Sequence, residues 1–123
     1  MDLSELIILY SLVLMLPATM VLFGLIFMYR PPKSINWTYG YRTRGSTGSQ
    51  EAWDFAHAHF GRLWTYLGAA MLPASIAATV LMQGTNIWTA VLILLIIQTA
   101  IMMAPIMLTE RALKNRIDDQ LNL

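Results

Sequence analysis

Three uncharged apolar runs, Leu6–Tyr29, Leu63–Met82 and Ile87–Leu108, take up more than half of this 123-residue chain. They are 24, 20 and 22 residues long. At about 1.5 Å of rise per residue, each can cross a hydrocarbon core of roughly 30 Å as a helix. The chain is 57% hydrophobic and only 12% charged, where a soluble domain averages about 25% charged. These features exclude a soluble globular class and predict an all-α integral membrane bundle of three transmembrane helices. A single membrane domain, residues 1–123, is expected. It divides into spans at about 6–29, 63–82 and 87–108, a loop and helix start at 30–62, and an amphipathic tail at 109–123. The first span is read as a membrane helix and not a signal peptide, because its leader, Met-Asp-Leu-Ser-Glu, is acidic and its apolar run is long. With no cysteine in the chain, disulfide and thiolate chemistry are excluded.

Lysine and arginine fall in two places only. Arg30, Lys33, Arg42, Arg44 and Arg62 lie between the first two spans, and Arg111, Lys114 and Arg116 follow the third. Basic loops stay cytoplasmic, and three spans put both basic regions on one side. The expected topology is N-terminus out and C-terminus in, in the bacterial cytoplasmic (inner) membrane, with the loop between helices 1 and 2 in the cytoplasm.

The link Gln83–Asn86 is four residues long and predicts a tight antiparallel hairpin of spans two and three. Each span holds one proline, Pro17, Pro73 or Pro105, which removes a helix hydrogen bond and tends to kink the helix. Ala70, Ala74, Ala77 and Ala78, with Gly61 and Gly68, predict a small-residue packing face or a homo-oligomer seam. In the tail, Leu113, Ile117 and Leu121 recur every four residues among charges. Such a stripe fits a surface helix, a cap on the bundle, or a solvated helix end.

The polar residues gather between Asn36 and Arg62, "NWTYGYRTRGSTGSQEAWDFAHAHFGR". Pro31 and Pro32 should stop the first helix. Trp37, Tyr39 and Tyr41 alternate, which predicts an extended or irregular segment at the membrane interface. From about Gln50 the spacing of Trp53, His57, Phe60 and Trp64 becomes helical and runs into span two. Thr47 with Gln50, or Ser49 alone, would cap that helix. On it, His57 and His59 point roughly 200° apart and cannot share a metal. Glu51, Asp54 and His57 form a stripe that would serve as acid–base residues if the chain were an enzyme, with Glu110 the other carboxylate near the same span ends. Arg42 and Arg44 suit bidentate binding of phosphate or carboxylate, and equally suit a role in fixing topology. No cofactor and no metal are expected.

The segment "PKSINWTYGYRTRGSTGSQEAWDFAHAHFGRL" resembles the SdpI family of small bacterial multi-span membrane proteins. The likeness rests on Pro32-Lys33, Asn36, Gly40-Tyr41-Arg42-Thr43, Ser46, Glu51-Ala52-Trp53, Ala56 and Gly61, within about Pro31–Gly68. The family's best-known member is an immunity protein that protects its producer against a membrane-active peptide toxin and sequesters a repressor. That member is longer, so the resemblance implies the membrane fold and motif loop here, not repressor capture.

The function expected is non-enzymatic resistance to a membrane-active peptide toxin, through binding of an anionic peptide or lipid group. The expected binding set is Asn36, Tyr39, Gly40, Tyr41, Arg42, Thr43, Glu51, Trp53, His57 and Arg62, with no catalytic residue. Arg42 would hold the anion, Asn36 and Thr43 would brace the loop, and Trp53 would pack it onto span two. Membrane lipids, a toxin peptide and a second copy of the chain are the expected partners, and nucleic acid is not. The alternative is a membrane-embedded enzyme acting on a lipid-linked substrate through Glu51, Asp54 and His57. A small transporter subunit is a weaker third reading, because the spans hold no charge and Gln98 is their one strongly polar side chain outside Ser and Thr.

Overall fold

The structure, a computed structural model, describes residues 1–121. They form three helices, α1 (Leu3–Tyr29), α2 (Gln50–Leu81) and α3 (Ile87–Leu121). Each helix is long and apolar enough to cross a membrane, and the described residues contain no strand. The last two residues assigned to the tail, 122 and 123, lie outside the described residues.

Local chemistry sets the helix ends. Asp2 and Glu5 form a reciprocal capping box at the start of α1. The helix stops at Tyr29, just before the Pro31-Pro32 pair, which cannot continue it. Of the two caps considered for the next helix, Ser49 is the one used, its hydroxyl accepting the Ala52 N–H at 3.0 Å. Gly84 takes a left-handed φ of 94° in the turn between α2 and α3, a conformation glycine adopts at little cost. Leu22, Ile93, Ile96 and Met107 are exposed. Apolar side chains facing outward are what a lipid solvent requires, since lipid exerts no force to bury them.

α1 and α2 meet backbone to backbone. A Cβ at Gly61 would lie 2.8 Å from both the Gly24 carbonyl oxygen and the Met28 nitrogen, and one at Gly68 would lie 2.9 Å from the Pro17 carbonyl oxygen. The packing face of α2 therefore runs through Gly61, Gly68, Met71, Ser75 and Thr79, all buried. Of the expected small-residue face, Gly61 and Gly68 pack on α1, whereas Ala70, Ala74 and Ala77 point outward and take no part in the contact. Those alanines lie on the other side of the helix from the glycines.

The third helix is tied in by a polar knot. Pro17 lacks the N–H that would bond the Val13 carbonyl four residues back. Gln98 of α3 replaces it, donating from Nε2 to the Val13 oxygen at 2.8 Å and to Ser75 Oγ at 2.8 Å. One buried amide thus joins all three helices inside the apolar zone. In α3 the Trp64 indole N–H bonds the Met102 carbonyl at 3.1 Å, three residues before Pro105. Two of the three prolines thus have a side chain from another helix bonded to a carbonyl just before them.

α2 and α3 both extend past their apolar spans at the same end of the bundle. Leu113 is buried there, so the tail begins as a packed continuation of α3, while Ile117 and Leu121 are exposed.

A Gly61→Ala substitution forces α1 and α2 apart against backbone atoms. It should destabilise the bundle by about 1–3 kcal/mol, the usual range for overpacking, whereas Ala70→Leu on the outward face should change stability little. Reversible unfolding in mixed micelles, comparing the two variants with the parent, measures the difference.

Candidate functional site

Residues 30–49 join α1 to α2 and fold back onto the overhanging helix ends. Asn36 makes the first turn, its Oδ1 accepting the N–H groups of Thr38 at 2.9 Å and Tyr39 at 2.7 Å. Trp53 is fully buried, and its indole N–H donates to the Pro32 carbonyl at 2.7 Å. Gln50 reaches the Lys33 carbonyl at 2.7 Å. The start of α2 therefore grips the chain just after α1 ends.

Gly40 is the pivot. Its φ is 122°, and a Cβ there would lie 2.8 Å from His57 Nε2 and 3.0 Å from Trp53 Cη2. Side chains rarely adopt this conformation, and no room exists for one. The turn also breaks the expected aromatic alternation: Trp37 is 91% exposed, whereas Tyr41 is swung inward to 6%. Tyr41 then packs on Phe60 at 4.6 Å between ring centroids.

His57 reads the loop backbone. The Tyr41 N–H donates to Nε2 at 2.9 Å, so the ring's proton sits on Nδ1 and is donated to the Trp53 carbonyl at 2.8 Å. Phe27 and Trp53 close around the ring. Burial lowers the His57 pKa from its ordinary 6.5, with the Trp53 carbonyl and Asp54 opposing. The imidazole is a neutral acceptor and donor with both nitrogens in use.

Glu110 closes the other side. Its Oε2 accepts the Tyr41 hydroxyl at 2.6 Å and the Thr43 hydroxyl at 3.0 Å. Burial first, and then Glu110, hold the Tyr41 phenol well above its ordinary pKa, so it remains a donor. Ser46, fully buried, donates to the Tyr41 carbonyl at 2.9 Å and accepts the Thr43 N–H at 2.8 Å, while its own N–H reaches Thr43 Oγ1 at 3.1 Å. Tyr41 and Thr43 are thus pinned from α2, from α3 and from within the loop.

Arg42 lies between them and is exposed, with no ion pair or hydrogen bond among the described residues. It stands at the polar end of a cleft of about 610 Å³. Phe23 and Phe27 of α1, Phe60 and Trp64 of α2, and Met103 and Ile106 of α3 line its apolar part, with Thr38–Thr43 forming the roof.

Of the residues expected to bind, Tyr39, Gly40, Tyr41, Arg42 and Thr43 line this cleft. Asn36, Trp53 and His57 stand behind them as braces. Glu51 lies elsewhere, paired with Arg116 at 3.0 Å and bonded to Gln120 at 2.8 Å. Arg116 also lies over the Phe55 ring, 4.8 Å from its centroid. Arg62 is exposed and does not line the cleft. The proposed acid–base stripe does not converge: Glu51 faces α3, Asp54 bonds Gln50 at the exposed surface, and His57 is buried under the loop. His59 goes to Thr109 at 2.9 Å, away from His57, as the helical geometry predicts. Among the described residues, no three His, Cys, Asp or Glu side chains gather as metal ligands would.

Glu110 and Ser46 were absent from the expected binding set, yet they lock the loop. The available signal was Glu110's place as the first charge after 47 uncharged residues, because a carboxylate at a span end needs partners.

Fold and site together define a three-helix membrane protein with its inter-span motif loop folded onto the protruding ends of α2 and α3. Residues 33–109 match the SdpI/YfhL protein family, and the chain belongs to that family. The match runs past the motif loop through the hairpin of α2 and α3. The chain is 39% identical over 95 residues to the uncharacterized protein YfhL of Bacillus subtilis (strain 168), covering 77% of this chain and 79% of that one. No solved structure matches it.

The His57 geometry sets a pH dependence. A histidine with a lowered folded pKa stabilises the fold above its unfolded pKa of about 6.5 and loses that stability as pH falls toward the folded value. Protonation would also turn Nε2 into a donor facing the Tyr41 N–H. Proteolytic nicking of the loop in detergent should therefore speed up as pH drops from 8 to 5. His59 is shifted in the same direction by burial and Arg62, so the dependence should persist in His59→Ala. A flat profile in that variant would contradict the role of His57.

Proposed function

We propose that this protein confers resistance to a membrane-active peptide toxin without chemistry of its own, and that Arg42 is the contact that engages an anionic group. The bundle sits in the bacterial cytoplasmic membrane with its N-terminus outside and its motif loop and C-terminus inside, in line with the two basic regions. Family membership supports the immunity-type role.

One observation carries the assignment of the site. Tyr41 and Thr43 are tied to His57, Glu110 and Ser46, whereas the Arg42 guanidinium between them is exposed, has no partner among the described residues, and stands above an apolar cleft. An arginine whose backbone is held between two pinned residues has only its side chain left to order on binding, which favours bidentate capture of a carboxylate or phosphate. The neutral His57, with both nitrogens engaged, and the dispersed Glu51 and Asp54 give the loop a scaffold and not an acid–base centre.

Survival of toxin-exposed cells carrying Arg42→Ala should drop to that of cells lacking the protein, at equal membrane abundance. Arg44→Ala should still protect, because Arg44 does not line the cleft. Full protection by the Arg42 variant would end the assignment.

A further inference from the structure

The cleft has the dimensions and polarity of a lipid-chain site. Its α1 wall runs from Thr19 to Phe27, a rise of about 12 Å at 1.5 Å per residue. One leaflet's share of a roughly 30 Å hydrocarbon core is about 15 Å. α2 supplies the back through Phe60 and Trp64, while α1 and α3 stand on either side. The rim residue Met103 is 52% exposed and belongs to the apolar outer surface of α3, so the cleft opens sideways, toward lipid. Its volume of about 610 Å³ falls within the 300–1,000 Å³ usual for ligand pockets.

Charge is confined to one end, and the hydroxyl of Thr19 at the other is donated to the Met15 carbonyl of its own helix. Thr38, Arg42 and Thr43 stand in the roof, at the level where α1 gives way to the loop. The nearby carboxylate, Glu110, is outside the lining, with its Oε2 bonded to the Tyr41 and Thr43 hydroxyls, so Arg42 is the one charged side chain that lines the cleft. One cation above a leaflet-deep apolar slot complements one negative charge on an apolar chain.

We infer that the α1–α3 cleft binds an anionic phospholipid, with an acyl chain between the helices and the phosphate on Arg42. This rests on the reading of Arg42 as the anion contact and names what it holds. A zwitterionic lipid offers the same chains with a compensating ammonium, so headgroup charge is what Arg42 distinguishes.

The test uses the full chain in detergent, incubated with phosphatidylglycerol, phosphatidylethanolamine or glycerol phosphate, with retained ligand counted by native mass spectrometry after dilution. The parent should retain about one phosphatidylglycerol in clear preference to phosphatidylethanolamine, and no glycerol phosphate. Arg42→Gln should lower phosphatidylglycerol retention to the level of phosphatidylethanolamine, and Met103→Trp, which plugs the rim, should lower retention of both. Thr19→Phe fills the same cleft from α1 and stands in if Met103→Trp is not monodisperse. Equal retention of the two lipids by the parent, or undiminished phosphatidylglycerol on a plugged and folded variant, overturns the inference. Glycerol phosphate binding as well as the lipid would mark a phosphate site with no use for the cleft, and overturns it too. If Arg42→Gln loses protection in cells but keeps its phosphatidylglycerol preference, the lipid assignment fails and the protective reading stands. Loss of the preference with protection intact leaves the lipid site standing without the protective role.

Discussion

The contact on which the rest depends is the backbone approach of α1 and α2 at Gly24, Gly61 and Gly68. Lipid gives no hydrophobic driving force between helices, so close van der Waals packing must supply the association. Glycine is the residue that lets two helix backbones approach this closely. At the end of the bundle away from the loop, α1 also packs on α3 through Leu9, Val13 and Val91. Gln98 attaches α3 at mid-depth through Val13 and Ser75, and Trp64 attaches it again at Met102. The space left between α1 and α3, beside these ties, is the cleft. A site on one side of the bundle is thus the complement of tight packing on the other.

The loop faces a different constraint. Twenty irregular residues, 30–49, must sit at the end of an apolar bundle with their backbone groups satisfied. Side chains do most of this. Asn36 takes two N–H groups, His57 takes one, Ser46 takes one and donates to a carbonyl, and Trp53 and Gln50 cap the carbonyls that follow α1. The bonds at His57 and Ser46 have few alternatives, because removing either partner leaves a buried group unpaired at a cost of about 1–3 kcal/mol. The overhanging ends of α2 and α3 are part of the same solution, since they carry His57 and Glu110 to the loop.

Much of this was legible from the residues. The three apolar runs dictate three helices, and the helical spacing from Gln50 marks the start of α2, because both depend only on local pattern. The divergence of His57 and His59 follows from helical geometry alone. The roles of Gln98 and Glu110 were not legible, since each makes its bonds to residues more than twenty positions away. The small-residue face held at Gly61 and Gly68 and failed at Ala70, Ala74 and Ala77 for a related reason: glycine and alanine look alike as small residues, but only a neighbouring backbone at contact distance tells which of them faces it. The inward turn of Tyr41 was hidden because the alternation marks an extended or irregular segment without saying which way each ring points once Gly40's left-handed φ turns the chain.

The motif that marks the family is consequently mostly scaffold. In Gly40-Tyr41-Arg42-Thr43, glycine is dictated by φ and by the absence of space, tyrosine by its phenol on Glu110 and its amide on His57, and threonine by Glu110 and Ser46. Arginine alone has no structural partner among the described residues. A position that the fold does not require, held between three that it does, is where a ligand contact is economically placed. The neighbours fix its position, and its side chain stays open to bind. The same logic separates Arg42 from Arg116, whose guanidinium is already committed to Glu51 and Phe55. Of these two arginines at the loop end, only the one over the cleft keeps its charge unmatched.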